Sequence, residues 1–405
     1  MSKKIVILGG GKNQLPLIQK AKYSGYYVVL CDFRDNVPGI PLSDIHYQIN
    51  TMDFDAVLSV CLKEKPDGII TNSEPVMPIL TKVSSELGLP GNSIEGIKTL
   101  MSKADFRKLQ KKLGLYCPQS IIVDSLDELK KLKSWIFPLI IKPCECSGSR
   151  GSRKISHFDE EQIQSSFIEC KSYSRNGKVV IEEFVDMPSL TTIEGDIFLY
   201  KDEILWAGLF YTKRSPWAPM VPQTYIAPLQ ETDEWLGKIK ESLIKIFKAA
   251  NIVFGEYNIE GYFTNSGEFF IIEINVRQGG HEIPLFIEDF SNIDLSRLLV
   301  STCVSDDSYW NNIKNYAANY NYVVKHTVFS RYSGIYHGLF ISDEVKKYVK
   351  RLVELKNIGD KVDECVNGTN LVAIVDLFFD NALDQQRITS NIFDYIHVIL
   401  ADESI

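Results

Sequence analysis

Strand and helix patterns alternate so regularly over residues 1–98 that few folds can hold them. The apolar runs KIVIL, YYVVLCD and DGIITN read as strands. Helix candidates lie between and after them, at 13–24, at FDAVLSVCLKEK and at PVMPILTKVSSELG, the last stopped by Gly88. Strands joined through helices need right-handed crossovers, so this segment is expected to form an α/β unit with a parallel sheet. A second unit opens near Ser102, where SKAD forms a capping box ahead of the helix ADFRKLQKKLG, ended by Gly114 and Pro118. From 119 to about 300, short strands mix with glycine-bearing turns and one amphipathic helix, EWLGKIKESLIKIFKAA. Its Leu236, Ile239, Leu243, Ile246, Phe247 and Ala250 recur at helical spacing, the stripe of a helix that lies on a sheet. Beyond 302 a smaller α/β tail is expected, with strands near VVKHTVFS, GIYHGLF and NLVAIVDLFF. Its helices are expected near EVKKYVKRLVEL and at the C-terminus.

The stretch GEFFIIEINVRQGG, 267–280, carries the most chemical information. As a regular strand it puts Phe270, Ile272, Ile274 and Val276 on one face and Glu273, Asn275 and Arg277 on the other. An acid, an amide and a guanidinium in a row, backed by an apolar face, are unfavourable to desolvate without partners. Carboxylate and amide oxygens suit a hard divalent cation, and a guanidinium forks onto phosphate or carboxylate. The plainer reading is a half-exposed strand with a polar outer face. The preceding run GEYNIEGYFT leads into NSGE, which reads as a hairpin turn. A four-residue loop, 265–268, sets Thr264 opposite Phe269, Glu260 opposite Glu273 and Asn258 opposite Asn275. A three-residue loop would put Glu260 on the wrong face. Two carboxylates about 5 Å apart repel unless a dication sits between them.

Upstream, FPLIIKPCECSGSRGSRKIS reads as a strand ending at Lys142, a loop carrying Ser147, Gly148, Ser149 and Gly151, and a returning strand. Small residues let backbone N–H groups approach phosphate oxygens, and a lysine at the strand end adds a point charge. It is no Walker loop, since GxxxxGK[ST] is absent. Lys103 and Arg107, one helical turn apart, can join this loop, although such a pair also suits a solvated face. VVIEEFVDMP, 179–188, is a β-run broken by two acids and stopped by Pro188. Between two lobes such a segment can offer backbone N–H and C=O to an adenine edge; otherwise it is an exposed strand end.

A net charge of −8 gives no reason to expect nucleic acid or anionic lipid as a partner. No apolar run is long enough to span a bilayer. Lys12, Asn13 and Gln14 follow straight after a short strand, which is not the form of a signal peptide, so the expected location is the cytoplasm. The eight cysteines form no CxxC pair, and Cys144 and Cys146 lack a second pair at zinc spacing, so reduced thiols are expected.

In this order the elements resemble the ATP-grasp superfamily of carboxylate–amine or carboxylate–thiol ligases along about 300 residues. The matching parts are an α/β pre-domain, the lysine of MSKADFRKLQKKLGLYCP, the strand lysine and loop of IIKPCECSGSRGS, and the hinge VIEEFV. The most specific is EINVRQGG with an acid thirteen residues before its glutamate, Glu260 to Glu273. The resemblance implies a Rossmann-like parallel-sheet pre-domain over 1–98 and a two-lobed ATP-grasp domain over 99–301, with lobes at about 115–185 and 186–301. A small C-terminal α/β subdomain would follow over 302–405. It implies that Lys103 and Lys142 hold the α- and β-phosphates of ATP while the loop 144–151 closes over the triphosphate. Glu182, Glu183, Phe184 and Val185 would read adenine, and Glu260, Glu273 and Asn275 would ligate Mg²⁺, or Mn²⁺ in its place. Arg277 would neutralise charge on the γ-phosphoryl group or on an acyl phosphate. The implied reaction activates a small-molecule carboxylate with ATP and joins it to an amine. Three departures stand out. Ser189 occupies the place of a ribose-binding glutamate, with Glu194 as the candidate substitute; Val276 replaces a proline; and RQGG follows amino-acid-ligase-like members rather than biotin carboxylases.

The turn ILGGGKNQLP, with Asp32 after the second strand, opens like a dinucleotide-binding unit, but Gln14 stands where the third glycine of G-x-G-x-x-G belongs. In the superfamily the pre-domain contacts substrate, so Gly10 and Gly11 at this helix N-terminus are expected to receive a carboxylate. Lys213, Arg214, Trp217, Gly279, Gly280 and His281 are further candidates to contact the acid or the amine. The tail is expected to complete the pocket or a homodimer interface. Three other readings stand beside the ligase: a carboxylase taking bicarbonate, a nucleotide-binding protein without turnover, and an NAD-dependent oxidoreductase.

Overall fold

The N-terminal alternation builds four parallel strands, β1 (Lys4–Leu8), β2 (Tyr27–Cys31), β3 (Ile45–Tyr47) and β4 (Gly68–Ile70), in the order β3-β2-β1-β4. The structure is a computed structural model that describes residues 2–146, 150–280, 282–315 and 320–401. Helices α1 (Leu15–Tyr23) and α2 (Phe54–Glu64) form crossovers, and α3 (Met77–Leu87) and α4 (Ile94–Met101) follow the last strand. β1 is buried on both faces, Ile5 and Ile7 against α1 and Val6 and Leu8 against α2 and α3, which is why it reads as an unbroken apolar run. Gly88 ends α3 in the left-handed region at φ +64°. Ser102 caps α5 (Lys103–Lys112) by accepting from Asp105 N–H, as its sequence indicated.

The small lobe is an antiparallel sheet of β5 (Ser120–Val123), β6 (Leu139–Pro143), β7 (Arg153–Ile155) and β8 (Val179–Glu183), ordered β5-β8-β6-β7. Helix α6 (Glu160–Tyr173) packs Ile163, Phe167 and Cys170 on Leu139, Ile141 and Ile181. Strand alternation turns Lys142 and Glu182 to the opposite face.

The remaining strands are β9 (Thr191–Tyr200), β10 (Glu203–Lys213), β11 (Thr224–Ala227), β12 (Gly255–Phe263), β13 (Phe269–Asn275) and β14 (Tyr322–Phe329). After them come β15 (Gly334–Ile341), β16 (Val349–Glu354), β17 (Lys361–Val362), β18 (Leu371–Phe379) and β19 (Ile396–Leu400). Eight of these make one sheet, β13-β12-β9-β10-β11-β14-β18-β16, which runs without a break across residue 302 because β11 pairs with β14. Helix α7 (Asp233–Ala249) buries Ile239, Leu243, Ile246 and Phe247 on one face of it, and α8 (Ile283–Ser291) buries Phe286 and Phe290 on the other. One expectation fails. EVKKYVKRLVEL is helical only at Asp343–Lys346, and its second half is β16. Val349, Arg351 and Val353 share the half-buried face and Lys350, Leu352 and Glu354 the exposed one, a period of two, and pairing with β18 outweighs the helical reading. No helix among the described residues is long and apolar enough to cross a membrane.

Candidate active site

The turn between β12 and β13 is tighter than expected. Thr264 N–H donates to Glu268 O at 2.9 Å, leaving Asn265, Ser266 and Gly267 in the loop, with Gly267 at φ +79°. That register alone would turn Glu260 away. A β-bulge restores it: Gly261 pairs with Ile271 but Glu260 with Glu273, so Ile272 is the extra residue. Two rows then cross three strands, Glu194–Glu260–Glu273 and Asp196–Asn258–Asn275. The bulge also divides the supposed apolar face. Ile274 and Val276 join the core under α7 together with Phe269 and Ile271, while Phe270 and Ile272 turn to the cavity beside Glu273.

This cavity, about 540 Å³, lies between the two lobes and brings together Lys103, Lys142, the hinge 182–188, Glu260 and Glu273. Lys103 Nζ lies 3.2 Å from Glu273 Oε2 and donates to Cys146 O at 2.9 Å. Lys142 Nζ lies 2.6 Å from Glu182 Oε2, and Arg107 Nε donates to Glu182 Oε1 at 3.0 Å. Burial pushes Lys142 down to about 8 despite Glu182, with Arg107 adding to the effect. For Glu182 burial works the other way, yet Arg107 and Lys142 hold its carboxyl below the ordinary range. Arg107 is therefore no phosphate ligand on a solvated face. It is buried, and it reaches across to the bulge, donating to Ile272 O at 2.8 Å, while Gln110 Nε2 donates to Ile271 O at 2.9 Å.

At the hinge, Glu183 N–H and Phe184 N–H are taken by Gln119 O and Pro138 O, whereas Val185 N–H has no partner among the described residues. Glu182 spends its carboxylate on Arg107 and Lys142, so recognition of a base here falls to the backbone.

Arg214, sought as a substrate contact, is buried and donates to both Glu260 and Glu194 Oε1, which occupies Glu194 as well. Burial, then Glu194, then Glu273 among other charges, raise Glu260 to about 8 even with Arg214 beside it. No cluster of three or more His, Cys, Asp or Glu able to hold a metal occurs among the described residues. The donors here are two carboxylates and the Asn275 amide, hard oxygens that fit Mg²⁺ or Mn²⁺, and a dication would relieve the repulsion felt by Glu260. Arg277 Nη1 donates to Gln278 O at 2.6 Å, and its Nε lies 3.7 Å from Glu74 Oε2. Glu74, which also accepts from Arg175 at 2.9 Å, ties the pre-domain to both lobes. The sequence concealed it, because an acid in the first turn of a helix is ordinary.

The other candidates lie apart. Gly10 N–H donates to Asp32 Oδ2 at 2.8 Å, and Gln14 packs against Gly9 and Gly11, so the glycine turn is filled by its own chain. Burial opposes the Asp32 charge, but Arg34 and the Gly10 N–H bring its carboxyl down to about 2. Lys213 Nζ donates to Thr389 O at 2.8 Å and Ser390 O at 3.0 Å, capping the helix Ala382–Ser390, and Trp217 packs near Phe393. Gly279 N–H donates to Asp196, and Gly280 O accepts from Ile283. Gly151 adopts φ +71°; Ser147, Gly148, Ser149 and His281 lie outside the described residues. Substituting Lys213→Ala is expected to reduce stability by about 0.3–1 kcal/mol, the value of a cation at a helix C-terminus, and to leave every KM unchanged. A tenfold rise in one KM would return Lys213 to the substrate.

Residues 102–283 match the family "Carbamoyl-phosphate synthase L chain, ATP binding domain". The chain is 28% identical over 197 residues to a formate-dependent phosphoribosylglycinamide formyltransferase of Sulfurisphaera tokodaii, covering 47% of this chain and 49% of that one. It is 26% identical over 297 residues to the C-terminal section of a carbamoyl phosphate synthase large chain of Aquifex aeolicus, covering 68% and 54% respectively. The chain thus spans about half the length of these curated relatives. Its fold is similar to that of an L-amino acid ligase from Bacillus licheniformis, with a TM-score of 0.77 and 18% identity over 99% of both chains. With Lys103, Lys142 and the acid pair Glu260 and Glu273 lining one interlobe cavity, residues 102–283 are similar to the ATP-binding domain of that family, which is of the ATP-grasp type.

Proposed function

We propose that the protein is a Mg·ATP-dependent ligase that phosphorylates a carboxylate and joins the resulting acyl phosphate to an amine, releasing ADP and phosphate. The observation that carries this reading is the Glu260–Glu273 pair with Asn275 beside it, facing a cavity that also holds Lys103 and Lys142. Val185 N–H is left to donate to adenine. Lys103 and Lys142 would exchange Glu273 and Glu182 for phosphate oxygens, and Arg277 would turn from Gln278 O to the developing charge. Glu260, Glu273 and Asn275 would hold Mg²⁺, which when bound neutralises phosphate charge. The hinge and loop 144–151 would exclude water, since an acyl phosphate left wet hydrolyses. The RQGG continuation favours an amide product.

The test is ADP and phosphate release from Mg·ATP over pooled carboxylates crossed with pooled amines, with mass spectrometry of each active pool. Formate belongs in the panel because one relative is formate-dependent. Release that needs both an acid and an amine is expected. Release with bicarbonate alone would replace the ligase with a carboxylase, and no release while ATP still binds would remove both.

A further inference from the structure

We propose that Asp196 is a positioning residue which, acting through Asn258, leaves the amide oxygen of Asn275 to the metal. This inference rests on the reading of Glu260, Glu273 and Asn275 as the metal donors. Asp196 in β9 is fully buried and lies opposite Asn258 in β12, which lies opposite Asn275 in β13. Burial raises Asp196, but Glu256, hydrogen-bonded to it and pushed well above the ordinary range by burial and by Asp196, keeps the proton of the pair. Asp196, as the carboxylate, only accepts hydrogen bonds. Asp196 Oδ1 takes Asn258 Nδ2 at 2.8 Å, so Asn258 must present its oxygen to the next strand. There Asn275 Nδ2 donates to Asn258 Oδ1 and to Glu273 Oε1, each at 3.2 Å. Both protons of that amide are used, and its Oδ1 has no protein partner among the described residues. Asp196 thus decides which way Asn258 faces, and Asn258 together with the Glu273 carboxylate decides which way Asn275 faces. The other oxygen of Asp196 accepts from Gly279 N–H at 2.9 Å, so the same carboxylate fixes the turn after Arg277. Glu256 completes the support by accepting from Gln278 Nε2 at 2.7 Å, and Gln278 also reaches Ser296.

The relay makes a prediction that bulk packing does not. In Asp196→Asn the amide at 196 must still accept from Gly279 N–H, so it turns its NH₂ toward Asn258. Asn258 then flips, and Asn275 either withdraws its oxygen from the metal or faces donor against donor. In the double variant Asp196→Asn/Asn258→Asp, the carboxylate at 258 accepts from both neighbours and the original orientation of Asn275 returns. Mn²⁺ would be titrated into each protein with a non-hydrolysable ATP analogue, and free Mn²⁺ followed by electron paramagnetic resonance. Asp196→Asn is expected to weaken Mn²⁺ by ~10–100-fold, the usual loss when an outer partner of a metal ligand is changed. The double variant is expected to bind Mn²⁺ near the parent value, and metal-free affinity for the analogue should be the same in all three. Parental Mn²⁺ affinity in Asp196→Asn, or a double variant no better than the single, would overturn the relay. Glu273→Gln serves as the reference. If it too binds Mn²⁺ like the parent, the metal assignment itself has failed and the relay with it.

Discussion

Replacing Glu273 by glutamine is expected to lower kcat for coupled ADP and phosphate release by ~10³-fold or more, as several kcal/mol of charge stabilisation would be lost. The substitution keeps shape and removes charge. Burial works against that charge in the native protein, and Lys103 overcomes it, with a further hydrogen bond from Asn275, holding the carboxyl below its ordinary range. A neutral amide would leave Lys103 without its ion pair and the Glu260–Glu273 row with one acid. The side chain is 22% exposed at the cavity wall, so the fold should survive and the melting temperature should move little. Steady-state kinetics with thermal unfolding on the same preparation checks both halves. A kcat within tenfold of the parent would take Glu273 out of the chemistry.

The second large effect concerns stability. Arg107→Met is expected to destabilise the protein by about 3–5 kcal/mol, the range for removing one partner of a buried ion pair. Arg107 and Glu182 are each about 2% exposed, and the substitution leaves the Glu182 carboxylate with Lys142 alone. It also strips the donor from Ile272 O at the bulge. Neutralising the stranded acid should recover part of the loss, so Arg107→Met/Glu182→Gln should be more stable than Arg107→Met in denaturant unfolding. A single-variant loss below about 1 kcal/mol would mean that water replaces the guanidinium, as at an exposed pair.

These residues also show where sequence reasoning stops. The parallel sheet and the Ser102 cap of the following helix follow from local periodicity and cap chemistry, and both are present. The bulge at Ile272 was not legible, because it is held from outside the hairpin by Arg107 and Gln110, more than 150 residues upstream. Two errors, a loop one residue too long and an unbroken ladder, cancelled at Glu260 and persisted at Phe270 and Ile272. Lys213 and Arg214 misled for a related reason. A cation in a polar loop looks available, and only tertiary structure shows that a helix end and two acids already hold them.

The continuous eight-stranded sheet governs what can be cut from this protein. Severing the chain near residue 302 would remove β14, β18 and β16 and leave β11 as an open edge, its unpaired N–H and C=O groups free to recruit another chain. The last hundred residues therefore act as a built-in seal against misassociation. They also anchor the loop that begins after Lys213, whose ammonium is tethered to Thr389 and Ser390. Any wall this loop gives the cavity, at Pro216, Pro219 and Met220, is steadied from the far end of the chain.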